Sequence, residues 1–287
     1  MSKPSNMKPE SFDPPTLEST VFADYARYYD LLYRDKDYAA EAEYVACLIR
    51  KFHPAAQSIL ELGSGTGKHA CLLAEQGYNI HGIELSQEMM VQSQSLAIKK
   101  NFTDDHLSFT AGDIREIRLE KRFDAVIALF HVISYQTTNE DVAAAFKTAR
   151  HHLKSGGIFI FDVWYGPAVL TQQPEVRIKR TSDEKIEVTR LAEPVLHPNE
   201  NRVDVNYHIF VRNRMTDAVK ELKETHAMRY FFKPEIEQFA ALAEIQCLHA
   251  EEWLSGKEIG CNTWGICFVM RNESLNRNDE IHSSELI

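Results

Sequence analysis

Ser58-Ile-Leu-Glu-Leu-Gly-Ser-Gly-Thr-Gly-Lys-His-Ala70 runs an apolar strand straight into a turn carrying three glycines and then into a helix. Glycine has no Cβ, so main-chain N–H groups and a helix start can approach a ligand closely there. The next apolar run, Asn79-Ile-His-Gly-Ile-Glu84, ends in a carboxylate suited to accepting both hydroxyls of a ribose. Together they read as half of a nucleoside-binding fold. Spacing excludes two common versions of it. A phosphate-binding loop needs Gly-x4-Gly-Lys-Ser/Thr, but Leu62 stands at the first glycine position and His69 follows Lys68. The dinucleotide fingerprint needs G-x-G-x-x-G, but Gly63, Gly65 and Gly67 give G-x-G-x-G, with Lys68 in the last place. Glu61, at the mouth of the turn, would repel a pyrophosphate and suit a cationic ligand.

Outward from this stretch, strands and helices alternate. Tyr38, Ala42, Val45, Ile49 and Phe52 share one face of a helix over residues 37–52. A strand at 58–62, a helix at 68–76, a strand at 79–84, a helix at 87–98 and strands at 107–111 and 123–129 follow. Thr138-Asn-Glu-Asp141 opens a helix as a capping box, Gly156-Gly157 ends it, and a strand covers 158–162. This order predicts a parallel sheet with helices on both faces and a ligand at the carboxyl ends of its strands. After Trp164 the pattern changes to period-two alternation over about 175–231, an antiparallel meander. Pro234 then opens a helix to about 243, and strands at about 245–251 and 264–271 complete the sheet. We expect one domain over 21–271 with a β insertion at about 175–231. Residues 1–20, with four prolines among polar residues, are expected to be disordered, and 272–287 to form a polar tail.

Glu61-Leu-Gly-Ser-Gly-Thr-Gly67, the acidic strand end Glu84, Ala111-Gly-Asp113-Ile114, the strand Phe123–Phe130 and Leu153-Lys-Ser-Gly-Gly-Ile-Phe-Ile-Phe-Asp162 occur in order at natural spacings. In these motifs, over roughly residues 37–165, the chain resembles the class I S-adenosylmethionine (SAM)-dependent methyltransferases. The resemblance implies an α/β, Rossmann-like fold with a seven-stranded sheet, here carrying an antiparallel β insertion, and SAM as cofactor. It implies Glu61, Gly63, Gly65 and Gly67 at the cofactor turn, Glu84 on the ribose, Asp113 near the adenine amino group, and Leu85 and Ile114 on the adenine faces. Leu129 and Tyr29 join this cofactor set. Each has a plainer counterpart: a tight turn, a solvated strand end, a helix cap, or core packing.

The segment Tyr25-Ala-Arg-Tyr28-Tyr29-Asp30-Leu-Leu-Tyr33-Arg-Asp-Lys36-Asp-Tyr38 resembles a narrower group, the N-methyltransferases of nucleotide-linked amino sugars. That resemblance implies Tyr33 in the active site, its hydroxyl orienting the acceptor nitrogen and its ring facing the sulfonium. The alternative is a lid or dimer contact. The insertion then resembles a substrate and dimer platform. His131, just past the fourth strand, is a candidate proton acceptor or a wall of the cofactor pocket. Trp164 and Tyr165 are candidates for stacking on a sugar or base. Arg177, Arg202, His226 and Arg229 are candidates for a diphosphate.

Composition narrows the acceptor. A net charge of −10 argues against a nucleic-acid backbone as partner. Leu129-Phe-His-Val-Ile-Ser-Tyr135 also lacks the Asn/Asp-Pro-Pro-aromatic motif typical of nucleic-acid amino methylation. No run is apolar enough to span a bilayer, the first residues do not read as a signal peptide, and five cysteines form no C-x-x-C, so we expect a cytoplasmic protein with reduced thiols. Histidines do not cluster with carboxylates at ligand spacing, so no metal is implied. The expected function is methyl transfer from SAM to a small molecule, the amino group of a nucleotide-linked sugar being favoured. Another small metabolite, such as an amino acid or hydroxylated compound, and a non-catalytic SAM-binding protein are the alternatives. Free edges on the insertion admit a homodimer.

Overall fold

The computed structural model describes residues 26–273; the expectations for 1–20, Tyr25 and the end of the tail lie outside them. Helices α1 (Ala26–Leu32) and α2 (Tyr38–Phe52) precede the sheet. Strand β1 (Ser58–Leu62) pairs in parallel with β2 (Asn79–Glu84) on one side and β4 (Phe123–Ala128) on the other. Strand β3 (Leu107–Ala111) lies outside β2, and β5 (Leu153–Tyr165) lies beside β4. Helices α3 (Lys68–Glu75), α4 (Gln87–Lys99) and α5 (Asn139–His152) make the crossovers. After β5 come α6 (Gly166–Gln172), the insertion strands β6 (Arg177–Ser182), β7 (Ile186–His197), β8 (Arg202–Asn213) and β9 (Val219–Phe231), then α7 (Lys233–Leu242), β10 (Gln246–Glu252) and β11 (Gly265–Arg271).

Strand β11 runs antiparallel to β5, and β10 closes that edge. The order β3-β2-β1-β4-β5-β11-β10 is the expected seven-stranded sheet. Its central strands β1, β4, β5 and β11 are largely buried on both faces, so they read as continuous apolar runs. Leu60, Leu62, Val126, Phe159 and Phe161 pack on Phe146 and Phe239. Ile59, Ala125, Ile127, Ile158 and Ile160 face the other way, onto Val45, Ile49 and Leu73. The period of two along each strand assigns these faces.

The end of β5 forks. Trp164 and Tyr165 pair in parallel with Tyr230 and Phe231 of β9, which leads into the antiparallel sheet β9-β8-β7-β6. The insertion therefore grows from the strand end where the expected ligand site lies. Helix α1 is the second tether: Tyr28 and Leu32 pack with Val188, Ile209 and Val211 of the insertion and with Met89 of α4.

Two sequence expectations need revision, and the structure adds one helix. Gly156-Gly157 does not end α5, which stops at His152; both glycines lie inside β5. They occupy an irregularity in the β4–β5 register, where a Cβ on Gly157 would come within 2.9 Å of Asp124 O. Close backbone approach, not helix capping, explains that glycine. Asn272, assigned to the tail, is buried and donates its amide to the carbonyls of Leu153 and Lys154. Helix α6 lacks the apolar periodicity that would have announced it.

Candidate active site

The carboxyl ends of β1, β2, β4 and β5 meet at one edge, and the loops there carry most of the expected residues. Gly63, Gly65 and Gly67 all adopt positive φ (70°, 56° and 77°), a region costly for other residues. Gly67 also permits contact with α4, since a Cβ there would sit 2.8 Å from Ser93 Cβ. A Cβ on Gly65 would meet only Met89 Sδ, 4.0 Å away, so the backbone there stays open to a ligand.

Glu84 ties this loop to the next. One carboxylate oxygen accepts from Gly65 N at 2.7 Å and the other from Ser86 N at 2.8 Å. Burial raises its pKa, and those two N–H groups offset part of the rise. Glu61 lies beneath, almost wholly buried, with Oε2 lacking any hydrogen-bond partner among the described residues. Burial, reinforced by the nearby charge of Glu84, pushes its pKa up to about 8. His69 Nδ1 is 3.8 Å from Glu61, and its Nε2 contacts Glu41 at 2.7 Å. Glu41 pairs in turn with Lys36, whose ammonium lies 4.4 Å from both the Tyr38 and Phe130 rings.

Asp113 is gripped by Arg115 through both its backbone N–H and its guanidinium. Burial raises the Asp113 pKa, but Arg115 more than reverses that and holds it low. Ile114 and Leu129 are buried, whereas Leu85 is partly exposed.

The next side of the site begins where β4 ends. Phe130 and His131 both take left-handed backbone angles (φ 64° and 65°), which non-glycine residues rarely do. Asp162, fully buried on β5, holds this turn by accepting from His131 N at 3.1 Å. His131 Nδ1 lies 2.6 Å from the same oxygen but out of line for a hydrogen bond. The His131 ring faces Trp164 at 6.0 Å, and Phe130 meets Tyr33 edge-on at 5.2 Å. Tyr29 packs on Tyr33 at 4.7 Å. Asp30, between them, reaches Lys68 Nζ at 2.8 Å and Thr66 Oγ1 at 3.1 Å, clamping α1 to the glycine turn.

Arg190 and Tyr207, which the sequence did not single out, join the expected His226 in completing the site from the insertion. Arg190 donates to the Tyr33 hydroxyl at 3.1 Å and stacks on Tyr207. Tyr207 packs on His226, whose Nδ1 is 2.9 Å from the Tyr135 hydroxyl. Val188, Arg190, Tyr207 and His226 share one face of the insertion, which alternation indicates only once the strand register is known. Four expected residues lie elsewhere or face away. Tyr165 packs into the core beside the site. Arg177 is exposed on the edge strand. Arg229 projects from the opposite face of β9 to His226, ion-paired with Glu235 and bonded to Asn139. With Arg202 it lines a separate polar cleft of about 390 Å³.

Residues 59–157 match the family model described as a methyltransferase domain. The chain is 29% identical over 236 residues, 82% of its length and 95% of the relative's, to dTDP-3-amino-3,4,6-trideoxy-alpha-D-glucopyranose N,N-dimethyltransferase of Streptomyces venezuelae. It is 28% identical over 215 residues, 74% of its length and 80% of the relative's, to dTDP-3-amino-3,6-dideoxy-alpha-D-glucopyranose N,N-dimethyltransferase of Streptomyces fradiae. Among solved structures it superposes on Streptomyces venezuelae DesVI with a TM-score of 0.70 at 27% identity, covering 86% of this chain and 98% of that one. A SAM-dependent methyltransferase from Clostridium acetobutylicum shares the fold, with a TM-score of 0.74 at 22% identity, covering 88% of this chain and 98% of that one. This chain is a SAM-dependent methyltransferase of the class I fold.

The residues present fit the cofactor. An acceptor-only carboxylate stands at the end of β2, the loop backbone is open at Gly65, and Glu61 carries an unpartnered buried oxygen suited to a cation. Replacing Glu84 with Ala should weaken SAM binding by about tenfold to a hundredfold, since charged hydrogen bonds contribute about 1.5–3 kcal/mol each. Glu84→Gln should be milder because it retains one acceptor. Titration calorimetry reads both, and unchanged affinity in the Ala variant contradicts the ribose assignment. A cation favours ionised Glu61, so binding expels its proton wherever that carboxyl is protonated. SAM affinity should therefore rise with pH and level off above about 8. Glu61→Gln should bind more weakly and lose this slope; a wild-type affinity flat from about pH 6 to 9 would sink the assignment.

Proposed function

We propose that this enzyme methylates the amino nitrogen of a nucleotide-linked sugar. The observation that carries the reading is the convergence of two sets of side chains over the carboxyl end of β4. Tyr33, Phe130, His131 and Trp164 come from the methyltransferase core and its N-terminal helix, and Arg190, Tyr207 and His226 from the insertion. The Streptomyces relatives, whose names describe dTDP-amino-sugar dimethyltransferases, support it.

SAM, when bound, supplies an electrophilic methyl group on a sulfonium. The protein's part is largely positioning, because a neutral amine is already a competent nucleophile. Tyr33 accepts a hydrogen bond from Arg190 and its hydroxyl also bonds with Tyr207, which holds it in place at the acceptor side of the site. Its ring and that of Phe130 give an electron-rich wall of the kind that attracts cations. Arg190, with the Lys179 ammonium 6.0 Å from the Tyr33 ring, brings positive charge for a diphosphate to this side of the site. That role passes to them from exposed Arg177 and from Arg229, which faces the other side of β9. Five free cysteines fit a cytoplasmic setting, and the unpaired outer edge of β6 leaves room for a second copy.

The Tyr33→Phe enzyme should lose about tenfold in kcat with unchanged SAM affinity, and Arg190→Ala should chiefly raise KM for a nucleotide-linked acceptor. Steady-state kinetics with dTDP-linked and free amino sugars reads both. Equal use of the two acceptors by wild type, or full turnover by Tyr33→Phe, contradicts the reading.

A further inference from the structure

An amine enters the site mostly as an ammonium at neutral pH, and an ammonium has no lone pair with which to take a methyl group. A proton acceptor is therefore needed near the acceptor nitrogen, and the structure offers two. The first is His131, whose Nδ1 faces Asp162. Asp162 is fully buried, and its second oxygen has no hydrogen-bond partner among the described residues. His131 Nδ1 is out of line for a hydrogen bond to Asp162, so this pair offers no bonded path along which a proton would move.

The second is a chain. Tyr135 lies at the end of the short 3-10 turn (Val132–Tyr135) that follows His131. Its hydroxyl is 2.9 Å from His226 Nδ1, and His226 Nε2 is 3.2 Å from Glu224 Oε2. Glu224 only accepts, so Nε2 carries a hydrogen and Nδ1 receives the one from Tyr135. Burial, with Tyr207, Tyr33 and Glu224 nearby, drives the Tyr135 pKa well up, so this residue stays a neutral phenol. The charged and titratable groups facing the chain are Glu224 on β9, Tyr207 on β8, Arg190 on β7 and Tyr33 just past α1. His226 is buried, while Tyr135 keeps partial exposure.

We propose that Tyr135, His226 and Glu224 form the relay that removes the acceptor's proton, an inference that rests on the amine-acceptor reading above. The ammonium passes one proton to the Tyr135 oxygen while the hydroxyl hydrogen of Tyr135 moves to His226 Nδ1. A neutral amine and an imidazolium result, the latter held against the Glu224 carboxylate. Tyr135 is the group that meets the acceptor; His226 and Glu224 act through it. His131 shapes the site through its anchored turn and takes no proton from the acceptor.

The test is the pH dependence of kcat for wild type, Tyr135→Phe, His226→Gln and His131→Gln, with SAM and a dTDP-linked amino sugar. Relay loss should cost Tyr135→Phe and His226→Gln about a hundredfold near pH 7. Both should approach wild type above about pH 9, where solvent deprotonates the amine. His131→Gln should fall by the same factor at every pH. A pH-independent loss in the first two variants, or a pH-rescued loss in His131→Gln, overturns the relay. Nitrogen-15 NMR of His226 in the enzyme without acceptor is an independent check. A protonated Nε2 and bare Nδ1, with the Nδ1 resonance shifting in Tyr135→Phe, support the relay; the opposite tautomer overturns it. If wild type methylates no amine, the acceptor reading falls and the relay falls with it; amine methylation with a pH-independent loss in Tyr135→Phe and His226→Gln overturns the relay alone.

Discussion

The Glu84 carboxylate is the joint on which the site depends. It is buried and acceptor-only, and it takes an N–H from the glycine turn and another from the start of α4. Without it the Ser86 N–H would be buried without a partner, at a cost of about 1–3 kcal/mol, and the half-buried Gly65 N–H would lose its acceptor. The turn can then hold positive φ at three glycines and keep Gly65 open. The same bonds temper the cost of burying Glu84 itself, while its charge helps keep the neighbouring Glu61 protonated near neutral pH. Loop geometry and the electrostatics beneath it thus share one cause.

The acceptor side depends on a different junction. Helix α1 is short, and its position comes from both ends of the site at once. Asp30 fixes it to Thr66 and Lys68 on the cofactor side, and Tyr33 fixes it to Arg190 on the insertion side. The insertion in turn joins the sheet where β5 forks, at Trp164 and Tyr165. A change in either half therefore reaches the other through α1 and through the end of β5.

The fold was largely legible because parallel strands buried on both faces must be continuous apolar runs, and each ended at a residue type its place demands. The glycine turn was legible for the same reason: three glycines and two acids at strand ends serve local backbone geometry. The insertion side was not. Arg190, Tyr207 and His226 meet only through cross-strand register, which no local pattern encodes. His226 and Arg229, three residues apart on β9, looked equivalent in sequence but stand on opposite faces. Asp162 and Tyr135 were hidden for another reason. Each lies in a stretch whose apolar neighbours announce core, and their roles appear only in the turn that follows β4.

The central claim is methyl transfer to the nitrogen of a nucleotide-linked amino sugar. Its most direct measurement is mass spectrometry of the purified protein with SAM carrying an isotopically labelled methyl group and a panel of such sugars. The account predicts labelled methyl on the nitrogen of at least one member, with none on the corresponding hydroxyl sugar. Binding of SAM with no labelled amino sugar anywhere in the panel, or label on oxygen alone, would contradict it.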